Sequence, residues 1–281
     1  MLEQLKYINH VNEVFRFGSS GIFVNTNELH DYEWKVASVG NRISSISREV
    51  STRKLPVVIM CDSEEEGIQA RNRLLEIVEK DVLAMQHGKI IIGNYYFRCF
   101  VTSSRKTNYL TSKKLMELDL ILTSDFPVWV KESTTSFKPA NQPMLLALDD
   151  ETSHGLDFPY DFNYDYFNSI AATSLNNPGF VPSNFKIIIY GGCSNPIINI
   201  QGHVYQVDCE INPGEYLTID STAKTIKLTK GDGSQENHFN DRNKTSYIFE
   251  KIPVGVSSVT WDGNFGFDVI LLEERSEPKW I

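Results

Sequence analysis

The last hundred residues contain short apolar runs separated by turn signals every 8–12 positions. The runs are FKIIIY, HVYQVDCEI, YLTID, KTIKLTK, SYIFEKI, SSVTWD and FDVILLEE. Among the turn signals, Asn212-Pro213-Gly214-Glu215 has Pro at the second position of a turn and Gly at the third, where a positive φ is needed. Strands at this spacing predict an antiparallel β-sandwich of jelly-roll or galectin type over residues 181–281.

The first half of the chain contains one clear helix signal. Ser63 and Glu66 form a capping box, and apolar residues follow at helical spacing. That stripe consists of Ile68, Leu74, Leu75, Ile77, Val78 and Val82. We expect Gly88 to close the helix in a left-handed conformation. The apolar run LPVVIMC at 55–61, just before the helix, predicts a strand buried on both faces.

Strand patterns follow the helix. The segment KIIIGNYYFRCFVTS predicts a hairpin that turns at Gly93-Asn94. Residues 116–124 alternate apolar and acidic side chains, as in a strand with one buried face. The sequence therefore predicts a mainly β protein with one helix, in which an α+β domain at residues 1–148 precedes the β-sandwich.

Residues 149–180 have neither regular period and are rich in Asp, Asn, Pro and aromatic residues. We interpret this segment as a linker or arm that lies against protein surface, because its aromatic residues are too apolar for a free linker. Three of its tyrosines, with three aromatic residues of the predicted hairpin, are the candidate contacts to other subunits or partners. They are Tyr95, Tyr96, Phe97, Tyr160, Tyr164 and Tyr166.

The formal net charge of −9 argues against a nucleic-acid-binding surface, because carboxylates repel phosphates. The start of the sequence lacks the pattern of a secretory signal, and no run of about 20 apolar residues suggests a membrane helix. The four cysteines lie in strand-like contexts without metal-ligand spacing, so we expect buried, reduced thiols. A disulfide between Cys193 and Cys209 is an open alternative.

The sequence contains none of the common catalytic or metal-binding motifs. There is no GxSxG elbow, no HExxH pair and no phosphate-binding glycine loop. We expect His203 to form structural hydrogen bonds. The segment 231–237 (GDGSQEN) lacks the ligand order of a calcium loop and predicts a surface hairpin. The sequence thus predicts no catalytic residues, no metal and no cofactor.

An ordered set of short segments nevertheless resembles the distal tail proteins of long-tailed phages, especially those of Gram-positive hosts. The segments are 195–200 (NPIINI), 214–220 (GEYLTID), 224–226 (KTI), 247–249 (YIF), 252–255 (IPVG), 259–261 (VTW) and 275–280 (RSEPKW). The connector DFPYDFNYDY and 126–129 (FPVW) are also similar to this family. The resemblance covers about residues 115–281 through these motifs and the rest through general layout.

The resemblance implies a non-enzymatic virion protein of the tail tip, assembled in the host cytoplasm. It implies a homohexameric ring built by the N-terminal domain, which joins the tail tube protein to the tail hub or tail-associated lysin. DNA would pass through the lumen without specific binding, and an acidic wall would suit that role. The C-terminal domain would project outward and, in some relatives, hold a receptor-binding protein.

Two other functions remain as alternatives. A β-sandwich with exposed aromatic residues is also typical of a carbohydrate-binding adhesin module that contacts the host surface, and Tyr216 and Trp261 are candidates for a sugar platform or for the core. A cell-wall glycosidase that uses two carboxylates is the third candidate, because the chain has 36 acidic residues.

Overall fold

The computed structural model describes residues 5–18, 21–139 and 173–279. The chain divides into two compact units. Unit 1 consists of Met1–Glu132 and Glu274–Ile281, and unit 2 consists of Ser133–Glu273. The boundary predicted at residue 148 and most of the predicted 149–180 connector lie outside the described residues, so the predicted domain limits stay a prediction.

Unit 1 contains ten strands and one helix among its described residues. In chain order these are β1 (Leu5–Ile8), β2 (Val14–Arg16), β3 (Ile22–Val24), β4 (Lys35–Val39), β5 (Arg42–Ser47), β6 (Ser51–Met60), α1 (Glu64–Ala84), β7 (Gly88–Ile92), β8 (Tyr95–Ser112), β9 (Leu115–Ser124) and the start of β10 (Trp129–Phe137). All of their pairings with defined registers are antiparallel.

Strand β8 organises the sheet of unit 1, because it pairs with β7 over its first part and with β9 further along. From β7 the order continues through β1 to the edge strand β2. From β9 it continues through β6 to the edge strand β3. Among the described strands, β4 and β5 pair only with each other. The β7–β8 hairpin turns at Gly93-Asn94 with Gly93 at φ 55°, as the sequence predicted.

Helix α1 begins where the sequence predicts. The Ser63 hydroxyl accepts a hydrogen bond from the Glu66 amide, and the Glu66 carboxylate accepts one from the Ser63 amide. Three residues of the predicted stripe, Leu74, Ile77 and Val78, are buried, whereas Ile68 is 40% exposed.

The predicted end of α1 is wrong. Met85, not Gly88, adopts the left-handed conformation, with φ 51° and ψ 37°. Gly88 begins β7, and a Cβ there would lie 2.2 Å from the Tyr7 hydroxyl oxygen and from Asp81 Oδ2. Packing, rather than helix termination, therefore requires glycine at position 88.

Strand β6 corrects another prediction. Its side chains alternate, with Leu55, Val57 and Ile59 buried and Met60 58% exposed, so only one face is buried. A continuous apolar run in the sequence does not by itself show whether a strand is buried on one face or on both. Strand β9 alternates as predicted and buries Met116, Leu118, Leu120 and Leu122 against the same core.

Unit 2 contains the end of β10 and, among its described residues, eleven further strands. They are β11 (Ser174–Asn177), β12 (Asn184–Tyr190), β13 (Cys193–Ser194), β14 (Ile197–Ile200), β15 (His203–Gln206), β16 (Glu210–Ile211), β17 (Tyr216–Asp220), β18 (Thr225–Thr229), β19 (Gln235–Asn237), β20 (Gly255–Trp261) and β21 (Phe267–Arg275), with a short 3-10 turn, η1, at Phe239–Asp241. Strand β21 crosses the boundary back into unit 1.

The strands of unit 2 form two main sheets, one in the order β19-β18-β17-β12-β21 and the other in the order β11-β20-β14-β15. Side chains from both sheets, such as Ile187 and Ile219 from the first and Ile198 and Val259 from the second, share one buried core. This is the predicted β-sandwich. Its galectin-like character stays a prediction.

One predicted strand of unit 2 does not form. The run SYIFEKI at 246–252, which the structure describes in full, forms turns with a single bridge between Ser183 and Ile252, although Ile248 and Phe249 are buried in the core. Strand β11 lies within the segment predicted as an arm and pairs with β20. The predicted turn at 212–215 is confirmed, with Gly214 at φ 85° and the Glu215 amide donating to the Asn212 carbonyl at 3.0 Å.

Candidate assembly surfaces

The aromatic hairpin offers less surface than the sequence suggested. Phe97 is fully buried, with its ring centroid 5.4 Å from that of Trp129, and Tyr95 is 5% exposed. These two side chains belong to the core of unit 1 and give no surface to a neighbour. Tyr96, between them on the strand, points to the other face, as strand alternation requires. Its hydroxyl donates to Glu132 Oε1 at 3.0 Å, and Lys89 Nζ lies 4.6 Å from its ring centroid.

The aromatic surface of this hairpin therefore reduces to Tyr96. The other predicted contacts, Tyr160, Tyr164 and Tyr166, lie outside the described residues, and their role stays a prediction.

The hairpin of β4 and β5 is a second candidate surface, which the sequence analysis missed. Every residue of both strands is exposed, and Gly40 takes φ 59° in the two-residue turn between them. The exposed fractions of its large aliphatic side chains are 53% for Val36, 75% for Val39, 66% for Ile43 and 55% for Ile46. The turn dipeptide Gly40-Asn41, with Val39 before it and Ile43 two residues after it, was the available signal, and the serines of the segment obscured it.

A buried polar cluster fixes the end of α1 against β1, and the sequence analysis also missed it. Asp81 has no exposed surface and accepts hydrogen bonds from the Tyr7 hydroxyl, from the His10 amide at 2.8 Å and from His10 Nδ1 at 2.6 Å. Burial and the bond to Asp81 raise the pKa of Tyr7 above its ordinary value. The hydroxyl therefore stays protonated and donates, which gives the cluster a structural role.

The remaining reactive side chains also have structural surroundings. His203 Nε2 lies 3.0 Å from the Tyr247 carbonyl oxygen and 3.2 Å from Ser246 Oγ, as expected of a structural histidine. None of the four cysteines forms a disulfide, and burial raises the pKa of Cys99 to about 12 and of Cys209 to about 11. The described residues include no group of three His, Cys, Asp or Glu that could hold a metal ion. No helix in the described ranges is long and apolar enough to span a membrane.

Charge is unevenly divided between the units. Unit 1 contains 19 acidic and 19 basic residues, whereas unit 2 contains 17 acidic and 8 basic residues, so unit 2 accounts for the whole net charge of −9. Because unit 1 has no net charge, the net charge of the chain does not by itself support an acidic wall in a ring built by the N-terminal domain. Which residues would face the lumen stays a prediction.

The two candidates for a sugar platform differ in environment. Trp261 is half-buried, its Nε1 donates to the Phe265 carbonyl at 3.0 Å, and its ring packs edge-on against Phe137 and Phe267. It is part of the sandwich core. Tyr216 lies directly opposite Tyr190 in the β12–β17 pair, and these side chains are 39% and 44% exposed. The two tyrosines form the aromatic surface on this side of the sandwich.

The comparisons with known proteins give a match at the level of fold. No protein-family model matches the sequence, and no curated protein matches it. The solved structure of SPP1 Dit (gp 19.1), described as a paradigm of the hub adsorption apparatus in phages that infect Gram-positive hosts, has a TM-score of 0.57 at 10% identity. This match covers 96% of this chain and 99% of that chain.

Two structures of the phage P2 baseplate in its activated conformation, one with Ca and one with Sr, match with a TM-score of 0.64 at 13% identity. Each match covers 99% of this chain and 100% of the other. The mainly β architecture with a single helix is therefore confirmed, and the chain has the fold of these phage hub and baseplate proteins along nearly its whole length.

Proposed function

We propose that this chain is a structural component of a phage or prophage tail tip. In this proposal six copies form a ring that joins the tail tube protein to the tail hub or tail-associated lysin, and DNA passes through the ring without specific binding. The observation that carries the proposal is the extent of the fold match, which includes both units and covers 99–100% of the hub and baseplate chains. A match confined to one sandwich would be weak support, because β-sandwiches host many functions.

Unit 1 supports the same proposal through its surface. Monomeric soluble proteins rarely expose apolar patches larger than a few hundred Å². The β4–β5 hairpin exposes four large aliphatic side chains without a core of its own, which is expected of a subunit that is stable in solution only when another molecule covers this surface. The proposal assigns the chain no enzymatic activity.

Light scattering on the purified chain tests the ring. The mass we expect is six times the chain mass of 32.0 kDa. A mass of 32.0 kDa at all concentrations up to the millimolar range would contradict self-assembly of the ring.

Carbohydrate binding is the second candidate, and the exposed Tyr190–Tyr216 pair favours it. A glycan array tests it with the variants Tyr190→Ala and Tyr216→Ala. Tyr247→Ala is a matched control, because Tyr247 is 56% exposed elsewhere on unit 2. Binding that both platform variants lose and the control retains would support an adhesin role. An array without binding would leave the structural role alone.

A further inference from the structure

The β4–β5 hairpin has open strand edges as well as exposed faces. Strands β4 and β5 pair with each other and with no other described strand, so the outer edge of each presents backbone N–H and C=O groups. Natural proteins normally cover or charge such edges, because they template pairing with another chain. This hairpin has aliphatic residues on it, and its only charged strand residues are Lys35 and Arg42.

A groove of about 880 Å³ on the same unit has complementary features. The edge strands β2 and β3 line it together with Met60, Cys61 and the first half of α1. The floor includes apolar surface, since Phe23 is 37% and Met60 58% exposed. The groove is therefore bounded by two strand edges and has apolar side chains between them.

The hydrogen-bond register shows which backbone groups of β3 face the groove. The Met60 amide donates to the Gly21 carbonyl at 2.6 Å, and the Asn25 amide donates to the Pro56 carbonyl at 3.1 Å. Because hydrogen-bonded pairs alternate along an antiparallel ladder, Ile22 and Val24 point their N–H and C=O groups away from β6. The Ile22 carbonyl accepts a hydrogen bond from the Gly18 amide at 2.6 Å. The outward N–H and C=O groups of Val24 are therefore the ones that β3 offers to an incoming strand.

Strand β2 also directs alternate backbone groups away from its partner strand. The Phe17 amide donates to the Leu5 carbonyl at 2.9 Å, so Arg16 and Val14 point their backbone groups away from β1. Arg73 reaches the Val14 carbonyl from the helix at 3.5 Å. The backbone of Arg16 remains directed at the groove, which gives an incoming strand partners on this side.

The hairpin of a subunit cannot fill the groove of that subunit. The hairpin joins β6 through the short segment 48–50 at the Ser51 end, and the groove lies at the Met60 end. Ten strand residues separate the two ends by roughly 30 Å, and β5 with the segment 48–50 spans at most about 30 Å, so even a fully extended hairpin could bring only its turn to the near end of the groove and could not lie in it. Contact between the two features therefore requires a second copy, and it is head-to-tail because two different surfaces meet. Head-to-tail contacts generate closed rings or open filaments.

The charged residues of the hairpin and of the groove also favour a second copy of the chain as the partner. Between Trp34 and Arg48 the sequence has Lys35 and Arg42 and no acidic residue. Asp62 and Glu66 line the end of the groove, next to Glu64 and Glu65 in the first helical turn. The basic residues on the groove are Arg16 and Arg73, and Arg73 is directed at the Val14 carbonyl. Lys35 pairs with Glu49 and Glu64 pairs with Lys113, so the complementary charges are Arg42 at the hairpin turn and Asp62 and Glu66 at the end of the groove.

We propose that the β4–β5 hairpin of one copy inserts between strands β2 and β3 of the next copy and so forms the repeating contact of the assembly. The proposal deepens the proposed ring function, on which it rests, and names its contact. Backbone pairing along the open edges supplies the geometry, and burial of the four aliphatic side chains supplies the driving force.

Disulfide trapping tests the contact in the full chain, because Cys61 already lies in the groove. Four variants place a single cysteine on the exposed hairpin: Ser38→Cys, Ser44→Cys, Ser45→Cys and Ser47→Cys. Oxidation followed by a non-reducing denaturing gel should give, for at least one variant, a ladder of covalent multiples of 32.0 kDa that ends at six chains. Adding Cys61→Ser should remove the multiples. Ser258→Cys, on an exposed position of β20 in unit 2, should give none.

A second variant tests the same contact without a bond. Ile43→Asp combined with Ile46→Asp places charge on side chains that are 66% and 55% exposed, so the fold of the subunit and its Tm should not change. The mass in light scattering should fall to 32.0 kDa, and the Tm should therefore be compared with that of the wild-type chain diluted to the monomer rather than with that of the assembly. Val256→Asp is the control, because Val256 is 70% exposed on unit 2, and it should leave the assembly intact.

The outcomes separate this proposal from the proposed ring. Covalent multiples without a six-membered ring would support the hairpin contact and contradict the ring. A six-chain mass that survives the double aspartate variant, with no covalent multiples from any of the four cysteines, would overturn the hairpin contact and leave the ring. A monomer without covalent multiples would overturn both.

Discussion

The cluster of Asp81, Tyr7 and His10 makes a quantitative prediction about unit 1. Replacement of Asp81 by Ala removes a wholly buried acceptor and leaves the Tyr7 hydroxyl and the His10 amide without their partner. A buried donor left unsatisfied costs about 1–3 kcal/mol, and breaking a buried charged network costs about 3–5 kcal/mol. We therefore expect Asp81→Ala to reduce the free energy of unfolding of unit 1 by about 3–5 kcal/mol.

The variant Tyr7→Phe removes one donor and leaves Asp81 with the two bonds from His10. We expect a loss of about 1–3 kcal/mol. In the double variant the Tyr7 hydroxyl is no longer stranded, so its cost should fall below the sum of the single costs by about 0.5–3 kcal/mol.

Hydrogen exchange measured by mass spectrometry is the suitable assay, because it reports the free energy of opening for β1 and β7 peptides separately from unit 2. Glu79→Ala is the matched control. Glu79 is exposed on the same helix and should change the free energy by less than about 0.5 kcal/mol. Equal effects of Asp81→Ala and Glu79→Ala, or strictly additive Tyr7 and Asp81 effects, would refute the role given to this cluster.

Three further predictions address other parts of the chain. Gly67→Ala should destabilise unit 1 by about 1–3 kcal/mol in the same exchange assay, because the new Cβ would lie 2.4 Å from the Lys113 carbonyl oxygen. Alanine usually stabilises a helix relative to glycine, so an increase in stability would contradict this close packing. Burial raises the pKa of Cys99 from 9.0 to about 12, so at pH 8 its thiolate fraction should be about 1000-fold lower than that of an ordinary cysteine. Cys99 should therefore react with a disulfide reagent only after unfolding, and reaction in the folded protein would contradict its burial. Tyr96→Asp should weaken assembly if the half-exposed Tyr96 ring lies in a subunit contact, and an unchanged mass in light scattering would remove Tyr96 from the candidates.

The parts of the fold that could be predicted from the sequence are those with a local cause. The capping box of α1, the alternation in β9 and the turn at Gly214 each depend on residues that are neighbours in the chain. The role of Gly88 depends instead on Tyr7, which lies 81 positions earlier, and no local pattern shows that contact. The predicted strand at 246–252 failed for a related reason. Ile248 and Phe249 are buried, but among the described residues the segment has only the single bridge between Ser183 and Ile252 and no strand that pairs along it.

The candidate surfaces were harder to predict. The hairpin at 95–97 has the pattern of an exposed aromatic surface, but Tyr95 and Phe97 face the core and only the burial of each side chain decides this. The β4–β5 hairpin gives the opposite error. Serines separate its apolar residues and the register shifts after Ala37, so the sequence pattern is weak although the two strands pair along their length. Hydrophobic periodicity indicates a buried face, and a strand exposed on both faces does not produce it.

Electron microscopy of the purified chain tests the central claim most directly. We predict two-dimensional class averages with six-fold symmetry and an open centre, from a peak whose mass is six times the chain mass of 32.0 kDa. Particles of 32.0 kDa, or assemblies without a closed six-fold ring, would contradict the proposed tail-tip ring.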